Sequence, residues 1–125
     1  MLARGKTSFI LLNAYPYNSG HLMVAPQRHV ADLEQLDEGE MGELFAETRR
    51  AVAALKQAFE PEGFNVGINL GSAGGAGVPG HLHVHVVPRW SGDTNFMPVV
   101  GATKVLPELL SQTAEKLRPI LRRGD

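Results

Sequence analysis

Hydrophobic and polar positions along the chain fall into segments of two different periods. Thr7 to Asn13, Thr-Ser-Phe-Ile-Leu-Leu-Asn, is a short apolar run that reads as a strand. Turn formers fill Asn13 to Gly20, and a second strand follows at His21-Leu22-Met23-Val24-Ala25-Pro26. Two strands with a turn-rich joint predict an antiparallel pair. From about Asp37 to Phe59 the period becomes helical, with Met41, Leu44, Phe45, Thr48, Val52, Leu55 and Phe59 forming one expected buried stripe. Asp37 with Glu40 fits an N-cap and a carboxylate three positions on, while Pro61 and Gly63 end the helix. A third strand is expected from about Phe64 to Leu70. A glycine-rich loop, Gly71 to Gly80, then delivers the chain into His81-Leu82-His83-Val84-His85-Val86-Val87-Pro88, a strand in which histidine alternates with aliphatic residues. Trp90 to Pro98 is too polar and broken for regular structure. A last helix from about Leu106 carries Leu109, Leu110, Thr113, Leu117, Ile120 and Leu121, and Pro119 is expected to kink or shorten it. The sum is one α+β domain over residues 1–125, with a mainly antiparallel sheet of about five strands, one long helix and a C-terminal helix.

Composition narrows the function without choosing one. A chain of 125 residues is long enough to bury a core as a single domain. A formal net charge of -1 gives no reason to expect a nucleic-acid groove or an anionic membrane partner. No apolar run approaches a transmembrane helix, no signal-peptide pattern opens the chain, and the default expectation is a cytoplasmic protein. Cysteine is absent, so disulfides and thiolate metal sites are excluded.

The chemistry lies in the alternating run. Period two puts His81, His83 and His85 on one face and sends Leu82, Val84 and Val86 into the core. A lone strand histidine is usually structural, whereas three in strict alternation beside a polyglycine loop point to function. Imidazole binds zinc, copper and iron, and two histidines two apart can share one ion. Against a metal, no Asp or Glu occurs between Glu62 and Asp93, and three histidines on a flat strand span about 13 Å at roughly 3.3 Å per residue. A nucleophile fits better and leaves the metal second. Neutral imidazole can attack phosphorus and form a phosphoramidate that water or another acceptor cleaves. The glycine loop supplies backbone N–H donors for phosphate with no side chains in the way.

His81-Leu82-His83-Val84-His85-Val86-Val87 resembles the His-φ-His-φ-His-φ-φ signature of the histidine triad (HIT) superfamily of nucleotide hydrolases and transferases. Leu12-Asn13, Gly20 to Pro26, Arg28-His29-Val30, Gly67-Ile68-Asn69 and Pro88-Arg89 resemble further family landmarks in the expected order. The likeness runs from about Phe9 to the C-terminal helix. Arg89-Trp90-Ser91-Gly92-Asp93-Thr94-Asn95-Phe96 is similar to a segment of the bacterial branch related to a diadenosine tetraphosphate phosphorylase. The branch that cleaves nucleoside phosphoramidates carries a serine three residues before the triad, where this chain has Val78.

The resemblance implies a HIT-like fold and cleavage of dinucleoside polyphosphates at the α-phosphate. It implies His83 as the nucleophile that becomes nucleotidylated, His85 on the α-phosphate, and the carbonyl of His81 as acceptor for the nucleophile's second nitrogen. It further implies His21 packed beside the triad, Asn13 near the ribose, Asn69 on phosphate, and the backbone of Gly77, Val78 and Pro79 over the phosphates. Arg89 and Asp93 would position the leaving polyphosphate or shape the pocket, and His29 falls in a Pro-x-Arg-His motif with either a structural or a functional role. A small-molecule nucleotide is the expected substrate, and the chain is expected to form a homodimer. No cofactor is expected, and no zinc, because the Cys-x-x-Cys segment that precedes the first strand in relatives has no counterpart here. A shorter natural form or a trimmed start would account for that difference. Phosphoramidate or adenylate hydrolysis, and nucleotide binding with little catalysis, remain the alternatives.

Overall fold

The computed structural model of the chain describes residues 1–13, 20–74, 81–92 and 110–122. Five strands form one antiparallel sheet: β1 (Ala3–Arg4), β2 (Ser8–Leu12), β3 (Leu22–Pro26), β4 (Gly63–Ile68) and β5 (Val84–Arg89), in the order β1-β2-β3-β5-β4. The expected pair is β2 with β3, Ile10 opposite Val24. Strand β1 was not foreseen; two residues carry no detectable period. β5 lies between β3 and β4, with Met23 opposite His85 on one side and Gly67 opposite His85 on the other.

The long helix α1 (Glu38–Phe59) begins where its sequence says it should. Asp37 is the N-cap, its side chain accepts from the Glu40 amide at 2.7 Å, and the Glu40 carboxylate accepts from the Asp37 amide at 3.0 Å. This capping box satisfies donors that a helix start leaves open. At the other end Glu60 takes up a left-handed conformation (φ 49°) and its N–H donates to the Lys56 carbonyl, so Glu60 performs the turn usually given to glycine.

The buried stripe of α1 differs from the expected one. Leu44, Thr48, Ala51, Ala54 and Leu55 are buried, whereas Phe45 is 60% exposed and Met41, Val52 and Phe59 are only partly covered. The small side chain of Ala51 lets the helix lie close on its neighbours in the core, and Ala54 lines a small cavity with Ile120 and Leu121 near the C-terminus. Leu44, Ala51 and Leu55 meet Ile10, Leu22, Val24, Val84 and Val86 from one sheet face, and Leu117 and Leu121 of the C-terminal helix α2 (Leu110–Arg122) close the cluster. The helix passes through Pro119 and runs three residues further, so the proline does not stop it there. The expected helical residues before Leu110, the irregular stretch beyond Gly92 and most of the glycine loop lie outside the described residues.

Candidate functional site

With the helices on one face of the sheet, the other face is left for chemistry. Leu82, Val84 and Val86 are buried, and His81, His83 and His85 stand on the opposite side, as period two requires. The hydrogen-bonded ladder begins only at Val84. His81 and His83 therefore precede the strand proper, and that stretch is held by different bonds. The Leu82 N–H donates to the Val30 carbonyl at 2.7 Å. The His81 ring donates from Nε2 to the carbonyl of Pro26 at 3.0 Å. His83 donates from Nδ1 to the main-chain carbonyl of His81, also at 3.0 Å.

That last bond determines what His83 can do. A carbonyl only accepts, so Nδ1 carries the ring proton and the lone pair of the neutral ring sits on Nε2. His85 lies edge-on beside it, with ring centroids 4.6 Å apart at 72°.

His21 directly precedes β3, and continuing the register from Leu22 opposite Val86 places His85 as its diagonal neighbour. Its Nε2 is 3.0 Å from His85 Nδ1. His21 is fully buried; burial first, then His85 and His83, pushes its pKa down to about 4. Burial and the His83 ring lower that of His85 as well. At neutral pH both rings are uncharged, and their contact holds one proton. If it sits on His21 Nε2, then His85 turns a protonated Nε2 outward as a donor. An arriving anionic oxygen favours that arrangement, since the alternative confronts it with a lone pair.

Asn13 joins this cluster from the end of β2. Its N–H donates to the His21 carbonyl at 3.1 Å, and its side-chain nitrogen is 3.2 Å and 3.4 Å from the two ring nitrogens of His21. Near-equal distances to both place the amide over the ring rather than along either lone pair. Asn69 follows Ile68, whose partner is Val84, so the continued register sets it opposite His83. Arg89 is different. It sits at the far end of β5, roughly 13 Å along the strand from His85, and donates to Asn65 of β4. Gly77, Val78, Pro79 and Asp93 lie outside the described residues.

Three features of the site carry no local sequence pattern: the Pro26 carbonyl under His81, the bare face opposite His85 at Gly67, and a contact of 3.2 Å between the Nδ1 atoms of His29 and His81. The Pro-x-Arg-His motif was the one signal that singled out His29. Among the described residues no group of three or more His, Cys, Asp or Glu could hold a metal ion, and no helix is long and apolar enough to cross a membrane.

A family model for the HIT domain matches residues 1–92. An AP-4-A phosphorylase of Mycobacterium tuberculosis is 51% identical over 117 residues, 94% of this chain and 60% of that protein. The chain thus spans less than two thirds of that relative's length. A bis(5'-nucleosyl)-tetraphosphatase [asymmetrical] of Schizosaccharomyces pombe is 37% identical over 90 residues, 72% of this chain and 49% of the relative. A zinc-bound histidine triad family protein from Mycobacterium smegmatis superposes with a TM-score of 0.79 at 25% identity, covering 99% of this chain and 84% of that one.

Proposed function

This chain belongs to the HIT domain family, and from that premise we propose that it cleaves dinucleoside polyphosphates, such as diadenosine tetraphosphate, through a nucleotidyl-histidine intermediate. The observation that carries the reading is the bond from His83 Nδ1 to the His81 carbonyl, which leaves Nε2 as the nucleophile. Nε2 attacks the α-phosphorus, an N–P bond forms, and the bond to the bridging oxygen breaks. From diadenosine tetraphosphate the departing group is ATP. An acceptor then attacks the same phosphorus and returns the lone pair to His83.

His85 donates to an α-phosphate oxygen as charge builds on the phosphorane-like transition state, and Gly77, Val78 and Pro79 are the proposed backbone contacts of the phosphates. His21 holds His85. Asn13 serves the ribose and Asn69 the phosphate, while Arg89 serves the outer part of the substrate. The name of the 51% identical relative supports inorganic phosphate as the acceptor, with ADP as product in place of AMP. The domain extends through α2, whose Leu117 and Leu121 complete the core. The protein acts in the cytoplasm as a homodimer, for which the open edge of β4 with its 50% exposed Val66 and the exposed Phe45 of α1 offer contact surfaces.

Brief mixing with diadenosine tetraphosphate, followed by intact mass measurement, is expected to show an adenylyl mass that His83→Asn lacks. Product analysis with and without inorganic phosphate identifies the acceptor: ADP plus ATP for phosphorolysis, AMP plus ATP for hydrolysis. Normal turnover by His83→Asn would refute the reading.

A further inference from the structure

We propose that His29 is a positioning residue for the nucleophile, acting through His81. This rests on the reading of His83 as nucleophile and extends it to the segment that aims the ring.

The His81 carbonyl that holds His83 belongs to a residue outside the β5 ladder, so its direction is not fixed by sheet hydrogen bonds. One short segment, Pro26 to Val30, supplies the bonds seen there. Pro26 accepts from the His81 ring, Val30 accepts from the Leu82 amide, and His29 meets the other nitrogen of the His81 ring. The segment is itself fastened: Arg28 donates to both Glu40 oxygens at 2.8 Å and 2.7 Å and to the Gln35 carbonyl at 2.6 Å. The bracket therefore runs from the capped start of α1, through Arg28 and His29, to the residue whose carbonyl fixes the proton on His83.

Proton placement follows from the partners. His81 Nε2 faces a carbonyl and must carry hydrogen, so in the neutral ring its Nδ1 is bare. The proton in the contact of 3.2 Å between the two Nδ1 atoms then comes from His29. The two rings meet at 80° with centroids 5.0 Å apart, so the contact is edge-directed rather than stacked. His29 is thereby the Nδ1–H tautomer of an exposed residue. Removing this donor leaves the His81 ring pinned at one nitrogen only, so the peptide that carries its carbonyl relies on the Leu82 N–H bond to Val30 and its aim at His83 loosens.

The test uses the whole chain and three proteins: unsubstituted, His29→Leu and His29→Asn. Asparagine places an amide N–H near the position of Nδ1, and leucine places none. The rate of adenylyl-adduct formation at His83 in a single turnover is expected to fall about tenfold in His29→Leu with the KM of diadenosine tetraphosphate little changed, and to return to within about threefold in His29→Asn. Nitrogen-15 spectra of the neutral rings of the unsubstituted protein should show His29 and His83 protonated at Nδ1 and His81 at Nε2. A His29 ring protonated at Nε2, or an adduct rate in His29→Leu equal to the unsubstituted one, overturns the positioning role and leaves the nucleophile reading intact. Absence of any adduct in the unsubstituted protein overturns both.

Discussion

His21 and His85 share one proton across 3.0 Å, in a place where neither ring is charged at neutral pH. The arrangement has a cost in acid. His21 ionises near 6.5 in the unfolded chain and near 4 in the folded one. Above that interval neither state binds the proton and stability is complete. Within it, the unfolded chain takes up a proton that the folded ring refuses, so stability falls as pH falls. A ring held from 6.5 down to about 4 makes the loss about 3 kcal/mol across the interval.

Carboxylates add a second, lower limb. Burial works against the charge of Glu43, but donors from Thr7, Ser8 and Lys6 outweigh it and hold the group below its ordinary range. Its contribution is present above that range and is lost as pH falls beneath it. Melting temperatures recorded against pH should therefore decline in two stages, and His21→Asn should shrink the upper stage to the part that the lowered pKa of His85 contributes. A flat profile between pH 6.5 and 4 in the unsubstituted protein would contradict the burial of a neutral His21.

Replacing His85 tests the donor role directly. His85→Asn removes the outward ring N–H while keeping a polar side chain. Loss of one preorganised donor to a transition state costs about a hundredfold to a thousandfold in kcat. Steady-state kinetics should show that loss with a far smaller change in KM, and a raised KM with kcat unchanged would point to ground-state binding instead.

Gly67 stands opposite His85 on the open face, and a Cβ built there meets no atom within 4 Å. The fold should accept a side chain that the substrate does not. Gly67→Val is expected to raise KM about tenfold, roughly 1.4 kcal/mol of binding, with the melting temperature unchanged or higher. A wild-type KM would mean that nucleotide does not cross this part of the sheet.

Gly20 makes the opposite forecast. Its φ is +84°, and a Cβ there would approach Leu55 to 3.1 Å and Pro88 to 3.3 Å. Gly20→Ala combines left-handed strain with overpacking, a loss of about 1–3 kcal/mol. Because His21 is the next residue, activity should fall even below the melting transition. Chemical denaturation and activity measured side by side would reveal either effect alone.

Periodicity carried much of this site. Alternation over His81 to Val86 puts the three imidazoles on one face, and Asp37 with Glu40 marks the start of α1 to the residue. The helical stripe is less legible because Ala51 and Ala54 contribute burial without a strong hydrophobic signal, while Phe45 contributes signal without burial. Long-range hydrogen bonds left no pattern at all. Glu43, 36 residues from Thr7, binds its amide at 2.6 Å, and nothing local to either residue says so. His29 and His81 are likewise 52 residues apart.

The strand order carries a cost during synthesis. β3 finds its second neighbour in β5, so its edge waits from Pro26 until Val84 emerges, 58 positions later. At ~5–20 residues per second on the ribosome that interval is about 3–12 s. Helix α1 is completed meanwhile, but it covers a face of the sheet and not that edge. For those seconds Leu22-Met23-Val24-Ala25 presents unpaired backbone to the surroundings. The nascent chain is then most open to strand pairing with another copy, and a chaperone that shields extended apolar segments would have its best opportunity in the same interval.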